Sequence, residues 1–247
     1  RDLHRVDRRQ RQMCIRDSET RFPFSMRDGF WTTTRETDSD LKLFREFSMN
    51  QEIIMAGVGG QGIMVIGTLL AQAAFMENLN VTYVPMYGVE KRGGHADCTI
   101  VISSDEIGSP IVGSPQSCIL MSKSALEKYV PRMKPQGVLL LNSSLIDPQE
   151  VMRKDLDIVP VPANEIAQEL HHERLANMVV LGAFVEKTKV VSVDSLIAAL
   201  PRTFEERYHH LLKANAEAIR KGAQFAWALM ANYPGAKIVG GRKGAKE

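Results

Sequence analysis

Cysteine is scarce in this chain, and that scarcity excludes the most. Cys14, Cys98 and Cys118 are the three cysteines among 247 residues, and no two of them stand in a CxxC or another metal-like spacing. An iron–sulfur cluster or structural zinc in the usual cysteine arrangement is therefore excluded. Long apolar runs are also missing. None approaches the roughly 20 residues that span a bilayer, and nothing at the N-terminus resembles a signal peptide, so no membrane contact and a reduced, cytoplasmic setting are expected. A net charge of +2 offers no electrostatic case for nucleic acid. No Ser-His-Asp set, paired carboxylates, activated cysteine or metal cluster can be assembled from the pattern. The histidine pairs His171-His172 and His209-His210 fall on helical segments, where neighbours in sequence cannot share a face. No catalytic and no metal-binding residue is expected.

What is present is an ordinary globular composition, 44% hydrophobic and 24% charged, with one informative stretch at residues 51–72, QEIIMAGVGGQGIMVIGTLLAQ. Residues 53–56 are an apolar run of strand length. Gly57, Gly59, Gly60, Gln61 and Gly62 follow at once, and residues 63–75 are apolar on nearly every side, as suits a helix buried against a sheet. Strand, glycine turn and helix in that order cradle phosphate, because glycine lets the backbone approach and the helix N-terminus offers free N–H groups. The stretch satisfies G-x-G-x-x-G, a pattern that alone is weak.

The next strand, residues 81–84, would carry an acid at its end if the fold bound a dinucleotide in the usual way. It runs instead into Pro85-Met86-Tyr87. That absence counts against an NAD dehydrogenase and against an adenylating enzyme of the ubiquitin-activating type. A second polar glycine loop follows, YGVEKRGGHAD at residues 87–97, in which Arg92 with the N–H groups of Gly93 and Gly94 suits a phosphate or carboxylate. A solvated loop is the plainer alternative.

Further on, residues 98–103 and 117–121 read as buried strands, 124–129 as a short helix, and 138–141 as a strand ending at Asn142-Ser143-Ser144. Small polar residues at that edge of an α/β sheet are candidate ligand contacts, Asn142 first, or plain turn formers. Residues 157–162 carry two prolines and predict an edge strand. Helices are predicted over 164–172, 177–186, 192–200 and 204–230, the second apolar all round and so buried. A hairpin-like pattern at 98–112 predicts a mixed sheet. The expectation is a three-layer α/β/α sandwich with a mixed, mainly parallel sheet and a Rossmann-like glycine-rich first turn.

Residues 1–48 differ in kind, with ten Arg and one Lys against eight Arg and twelve Lys in residues 49–247. They show no apolar period. Met13-Cys14-Ile15-Arg16-Asp17-Ser18 resembles the translation of a transposon end used in sequencing libraries, so a non-native or disordered extension over 1–48 is expected, with the domain at 49–232 and a flexible tail at 233–247. A natural basic arm is the alternative.

IIMAGVGGQG at 53–62, MYGVEKRGGHADC at 86–98 with IGSP after it, LLLNSSLI at 139–146 and NMVVLGAF at 177–184 together resemble the gamma subunit of 2-oxoacid:ferredoxin oxidoreductases, over residues 49–228. Where a common family version has Pro-Glu-Met, this chain has Val89-Glu90-Lys91. The resemblance implies a multi-subunit enzyme that decarboxylates a 2-oxo acid, 2-oxoglutarate or a branched-chain acid being favoured, and hands the acyl group to coenzyme A. It implies thiamine diphosphate and iron–sulfur clusters on alpha and beta partner subunits, with ferredoxin as acceptor and a ferredoxin-like delta subunit as a further partner. It also implies a shared coenzyme A site, with Gly57, Gly59, Gly60, Gln61 and Gly62 near the diphosphate and Arg92, Gly93 and Gly94 as a second clamp. The alternative is a stand-alone nucleotide-binding regulatory module using the same loop.

Overall fold

The computed structural model describes residues 26–27, 30–31, 49–87 and 94–232. The chain divides into two units, 1–47 and 48–247. In the first, Met26–Arg27 pairs antiparallel with Phe30–Trp31.

The second unit is built on β1 (Asn50–Val58), whose pleat sends Ile53 and Met55 to one buried cluster and Ile54 and Ala56 to another. After it come α1 (Ile63–Met76), β2 (Asn80–Tyr87), β3 (His95–Ser103), β4 (Ser117–Leu120), α2 (Lys123–Tyr129), β5 (Val138–Asn142), β6 (Asp157–Val161), α3 (Ala163–Glu169), α4 (Ala176–Thr188), α5 (Val193–Thr203) and α6 (Leu212–Asn232). The six strands form one sheet in the order β2-β3-β1-β4-β5-β6. Strands β1, β4, β5 and β6 run parallel, while β3 is antiparallel to both β1 and β2. Helices cover both faces, unequally: α1, α3, α4, α5 and α6 pack on the cluster of Ile53 and Met55, and α2 with adjoining turns covers that of Ile54 and Ala56. This is the expected mixed, mainly parallel α/β/α sandwich, with β6 at the edge as Pro160 and Pro162 predict.

The expected hairpin over 98–112 has the wrong partner. The strand of Cys98 begins earlier, at His95, and pairs with β1 and β2 on its two sides. Residues 104–116 hold no strand, because Gly108, Pro110, Gly113 and Pro115 interrupt any ladder. The long helix predicted from Phe204 is also divided: Glu206–Leu211 is a 3-10 segment, and α6 starts at Leu212. By contrast α5 starts where its sequence signal predicts, with Ser192 Oγ accepting from the Ser195 N–H at 3.0 Å.

Helix α4 is buried at twelve of its thirteen positions, as its apolar sequence demands. It crosses α6 backbone to backbone. A Cβ placed at Gly182 would lie 2.0 Å from the Ile219 carbonyl oxygen, and one at Gly222 would lie 1.9 Å from that of Val179. Near the end of α4 the ammonium of Lys187, 2% exposed, lies 2.7 Å from Asp157 Oδ2 at the start of β6, a charge contact outside hydrogen-bond geometry. Lys187 is removed from water while Asp157 stays partly exposed, so losing Asp157 would leave a buried ammonium without its counter-charge.

Candidate functional site

Strand β1 delivers the glycine loop at the carboxyl edge of the parallel strands, the edge where sheets of this kind take ligands. Gly60 and Gly62 have φ of 100° and 74°, so the reversal into α1 uses the left-handed region that glycine occupies freely. Gln61 folds back beneath the turn. Its Oε1 accepts from the Val58 N–H at 2.7 Å and its Nε2 donates to the Met121 carbonyl at 2.8 Å, tying the loop to the end of β4. Gly57 leaves room for that tuck, since a Cβ there would lie 2.4 Å from Gln61 Oε1. The side-chain amide of Gln61 is thus spent on holding the loop.

Helix α1 begins without a side-chain cap and without an acid in its first turn, which leaves its positive end unneutralised. Gly60 presents bare backbone, with nothing within 4 Å of where a Cβ would stand. Both features suit an anion at the turn.

The two glycine loops touch. The Gly59 N–H donates to the Gly94 carbonyl at 2.8 Å, next to the first register pair of β1 and β3, Val58 with His95. Arg92 and Gly93, the other members of the expected second clamp, lie outside the described residues. Asn142, the last residue of β5, is fully buried. Its Oδ1 accepts from the N–H groups of Ser144 and Ala163 at 3.2 and 3.3 Å, and its Nδ2 donates to Asn164 Oδ1 at 2.9 Å. It braces the wall against which Asn164 stands.

Gly60, Gln61 and Asn142 border one cleft of about 480 Å³, completed by Met121, Asn164, Arg174 and Asn177 among others. Asn177 is the residue that sequence reasoning misses most. At the start of α4 its Nδ2 donates to the Gly62 carbonyl at 3.3 Å, and its Oδ1 accepts from the Met178 N–H at 2.9 Å. The sole signal is one polar residue heading an otherwise apolar run, and its partner stands 115 positions earlier. Arg174 is hidden in the sequence for a different reason: it sits on a 3-10 turn, Glu173–Leu175, with no pattern of its own.

Sheet order explains the acid that strand two lacks. β3 intervenes between β1 and β2, so the end of β2 stands two strand spacings from the glycine turn, roughly 9–10 Å. The neighbouring position belongs to the start of β3. Its acid, Asp97, is 4% exposed and accepts at Oδ2 from Lys128 Nζ and the Tyr129 hydroxyl, both at 2.5 Å, on the face covered by α2. Burial, with Asp97 beside it, pushes the Tyr129 phenol up to about 12.

Cys98 and Cys118 are buried core residues on β3 and β4. Burial, reinforced by the charge of Asp97, pushes the Cys98 thiol from 9.0 up to about 12, and burial raises Cys118 as well. Neither is expected to react with a thiol reagent at pH 8 until the protein is unfolded; site-resolved mass spectrometry after brief labelling checks this. Because the folded value lies above the unfolded one, the contribution of Cys98 to stability is fully present below pH 9.0 and is lost as pH rises towards 12. Cys98→Ala should flatten that alkaline loss in urea unfolding, and an unchanged slope would count against the shift.

Among the described residues, no group of three or more His, Cys, Asp or Glu side chains could hold a metal ion, and no helix is long and apolar enough to cross a membrane.

Residues 52–225 match the family described as pyruvate ferredoxin/flavodoxin oxidoreductase. The chain is 32% identical over 188 residues to the 2-oxoglutarate synthase subunit KorC of Methanocaldococcus jannaschii, spanning 74% of this chain and 97% of that one. It is 32% identical to the ketoisovalerate oxidoreductase subunit VorA of Methanothermobacter marburgensis over 70% of its own length but 36% of that protein's. Among solved structures it resembles the gamma subunit of the keto/oxoacid ferredoxin oxidoreductase of Geobacter sulfurreducens, with a TM-score of 0.61, 28% identity, and coverage of 72% of this chain and 99% of the other. It shares the fold of the 2-oxoglutarate:ferredoxin oxidoreductase of Magnetococcus marinus, determined with 2-oxoglutarate, coenzyme A and succinyl-CoA bound, at a TM-score of 0.69 and 24% identity, over 80% of this chain and 34% of that chain.

Proposed function

Since the chain belongs to the pyruvate ferredoxin/flavodoxin oxidoreductase family, as the gamma subunit of a 2-oxoacid:ferredoxin oxidoreductase, we propose that its glycine loop forms one wall of the coenzyme A site of that complex. The observation that carries this reading is that Gly60 and Gln61, the residues leading into the uncapped start of α1, border a cleft at the carboxyl edge of the sheet. Coenzyme A would supply the thiol that receives the acyl group. The chain's own part is to bind and orient it: backbone N–H groups at the turn and the positive end of α1 face the diphosphate, and Asn142 and Asn177 keep the walls in place.

In this reading no residue of the chain makes or breaks bonds. Thiamine diphosphate and the iron–sulfur clusters sit on alpha and beta subunits, and ferredoxin, with a ferredoxin-like delta subunit in some assemblies, carries electrons away in the cytoplasm. The three cysteines, two of them buried in the core and none spaced for a cluster, support placing the clusters on partners. The favoured 2-oxo acids are 2-oxoglutarate and branched-chain acids, in line with the names of the KorC and VorA relatives. That these relatives are named as subunits favours assembly over a stand-alone nucleotide-binding module.

Gly59→Asp tests the reading, because a carboxylate at the turn repels a diphosphate. In a complex reconstituted with its partners, KM for coenzyme A should rise at least about 10-fold, a cost of about 1.4 kcal/mol, with KM for the 2-oxo acid unchanged. Equal losses for both substrates would point to a damaged complex and away from a coenzyme A wall.

A further inference from the structure

Beyond the glycine-loop cleft lies a second one of about 630 Å³, bordered by His171, His172, Leu211 and Ala214. The two clefts share Glu173 and Arg174, so the 3-10 turn of Glu173–Leu175 is a ledge between them. Arg174 is exposed and takes part in none of the hydrogen bonds or ion pairs found among the described residues. Its neighbours are fixed by backbone: at the end of α3 the His171 N–H donates to Gln168 at 2.8 Å and the His172 N–H to Ala167 at 3.0 Å, with His171 held at φ 56°. An arginine and two histidines thus stand together on or beside the ledge, against the single acid Glu173.

Coenzyme A carries two separate anionic centres, a diphosphate and a 3′-phosphate one ribose away. A glycine turn that binds the first cannot tell coenzyme A from any other adenosine diphosphate derivative. A guanidinium across the ledge can, since its fork matches the oxygens of a phosphomonoester. Resting on the reading of the glycine loop given above, we propose that the second cleft takes the 3′-phosphate end of coenzyme A and that Arg174 is the cation that reads it.

The test compares coenzyme A with dephospho-coenzyme A in the reconstituted complex. The native complex should favour coenzyme A in KM by about 10- to 100-fold, the scale of a charge-assisted phosphate contact. Arg174→Met should raise KM for coenzyme A by that factor, leave KM for the dephospho form where it was, and so abolish the preference. Arg174→Lys should keep part of it. Calorimetric titration with each cofactor gives the same comparison without turnover. Equal KM values in the native complex, no change in Arg174→Met, or an equal rise for both cofactors would overturn the proposal; the last places the guanidinium on the diphosphate instead. If Gly59→Asp also left both KM values alone, the coenzyme A wall itself would fall.

Discussion

Replacing Gly222 with alanine is expected to destabilise the protein by about 3 kcal/mol or more, although alanine favours helix over glycine by about 1 kcal/mol. The added methyl would stand 1.9 Å from the Val179 carbonyl oxygen. That atom belongs to the backbone of a helix buried on nearly every side, so it cannot rotate away as a side chain would. α4 and α6 must separate, and the contacts they bury go with them. At roughly 2–4 °C per kcal/mol for a domain of this size, the melting temperature should drop by about 6–12 °C. Gly182→Ala should act alike, meeting the Ile219 carbonyl at 2.0 Å. Because both methyls force the same separation, the double variant should lose less than the sum. Gly67→Ala in α1 is the comparison: its methyl meets the Cys98 sulfur at 2.7 Å and the Tyr83 ring at 2.8 Å, side-chain atoms that can shift, so its cost should be smaller. If calorimetry showed Gly222→Ala melting at or above the native temperature, the close crossing would be wrong.

The second large effect is at Gly62. Alanine there would be held at φ 74°, at a cost of roughly 1–2 kcal/mol, and its methyl would fall 2.2 Å from Asn177 Nδ2. The turn beside the cleft would open, so with the loop in its proposed coenzyme A role, acyl-coenzyme A formation by the reconstituted complex should fall about 100-fold. Asn177→Ala removes the obstructing amide. Gly62→Ala with Asn177→Ala should therefore recover about 1 kcal/mol relative to additive losses, keeping the φ penalty. Strict additivity in a double-mutant cycle would mean that Asn177 does not hold Gly62.

How far the sequence discloses this molecule varies with the range of the interaction concerned. The turn at Gly60 and Gly62, the strand before it and the buried helices declare themselves through glycine, apolar runs and the Ser192 cap, because each is decided within a few residues. Pro160 gives away the edge position of β6 for the same reason. The placement of β3 does not show. An apolar run such as residues 98–103 fits a parallel or an antiparallel neighbour equally well, and nothing local says that it will enter between β1 and β2. Gly182 and Gly222 are visible as glycines in helices, but each matters through a carbonyl on the other helix. Gln61 and Asn142 stand out in the sequence as candidates and border one cleft, whereas their work as braces depends on Met121, Ser144, Ala163 and Asn164.

The central place of β1 also governs how the chain is made. On the ribosome, β1 emerges well before either neighbour: β3 ends at Ser103 and β4 at Leu120, so about 60 residues must follow Val58 before both flanks are complete. At roughly 5–20 residues per second that is a wait of about 3–12 s. Until β3 is complete the run Ile53, Ile54, Met55 and Ala56 has two open ladders, and from then until β4 follows it has one, with an apolar face on either side. Among the described residues α1 is the one helix available early to shield one of those faces, so a nascent chain stalled within this window is exposed to aggregation.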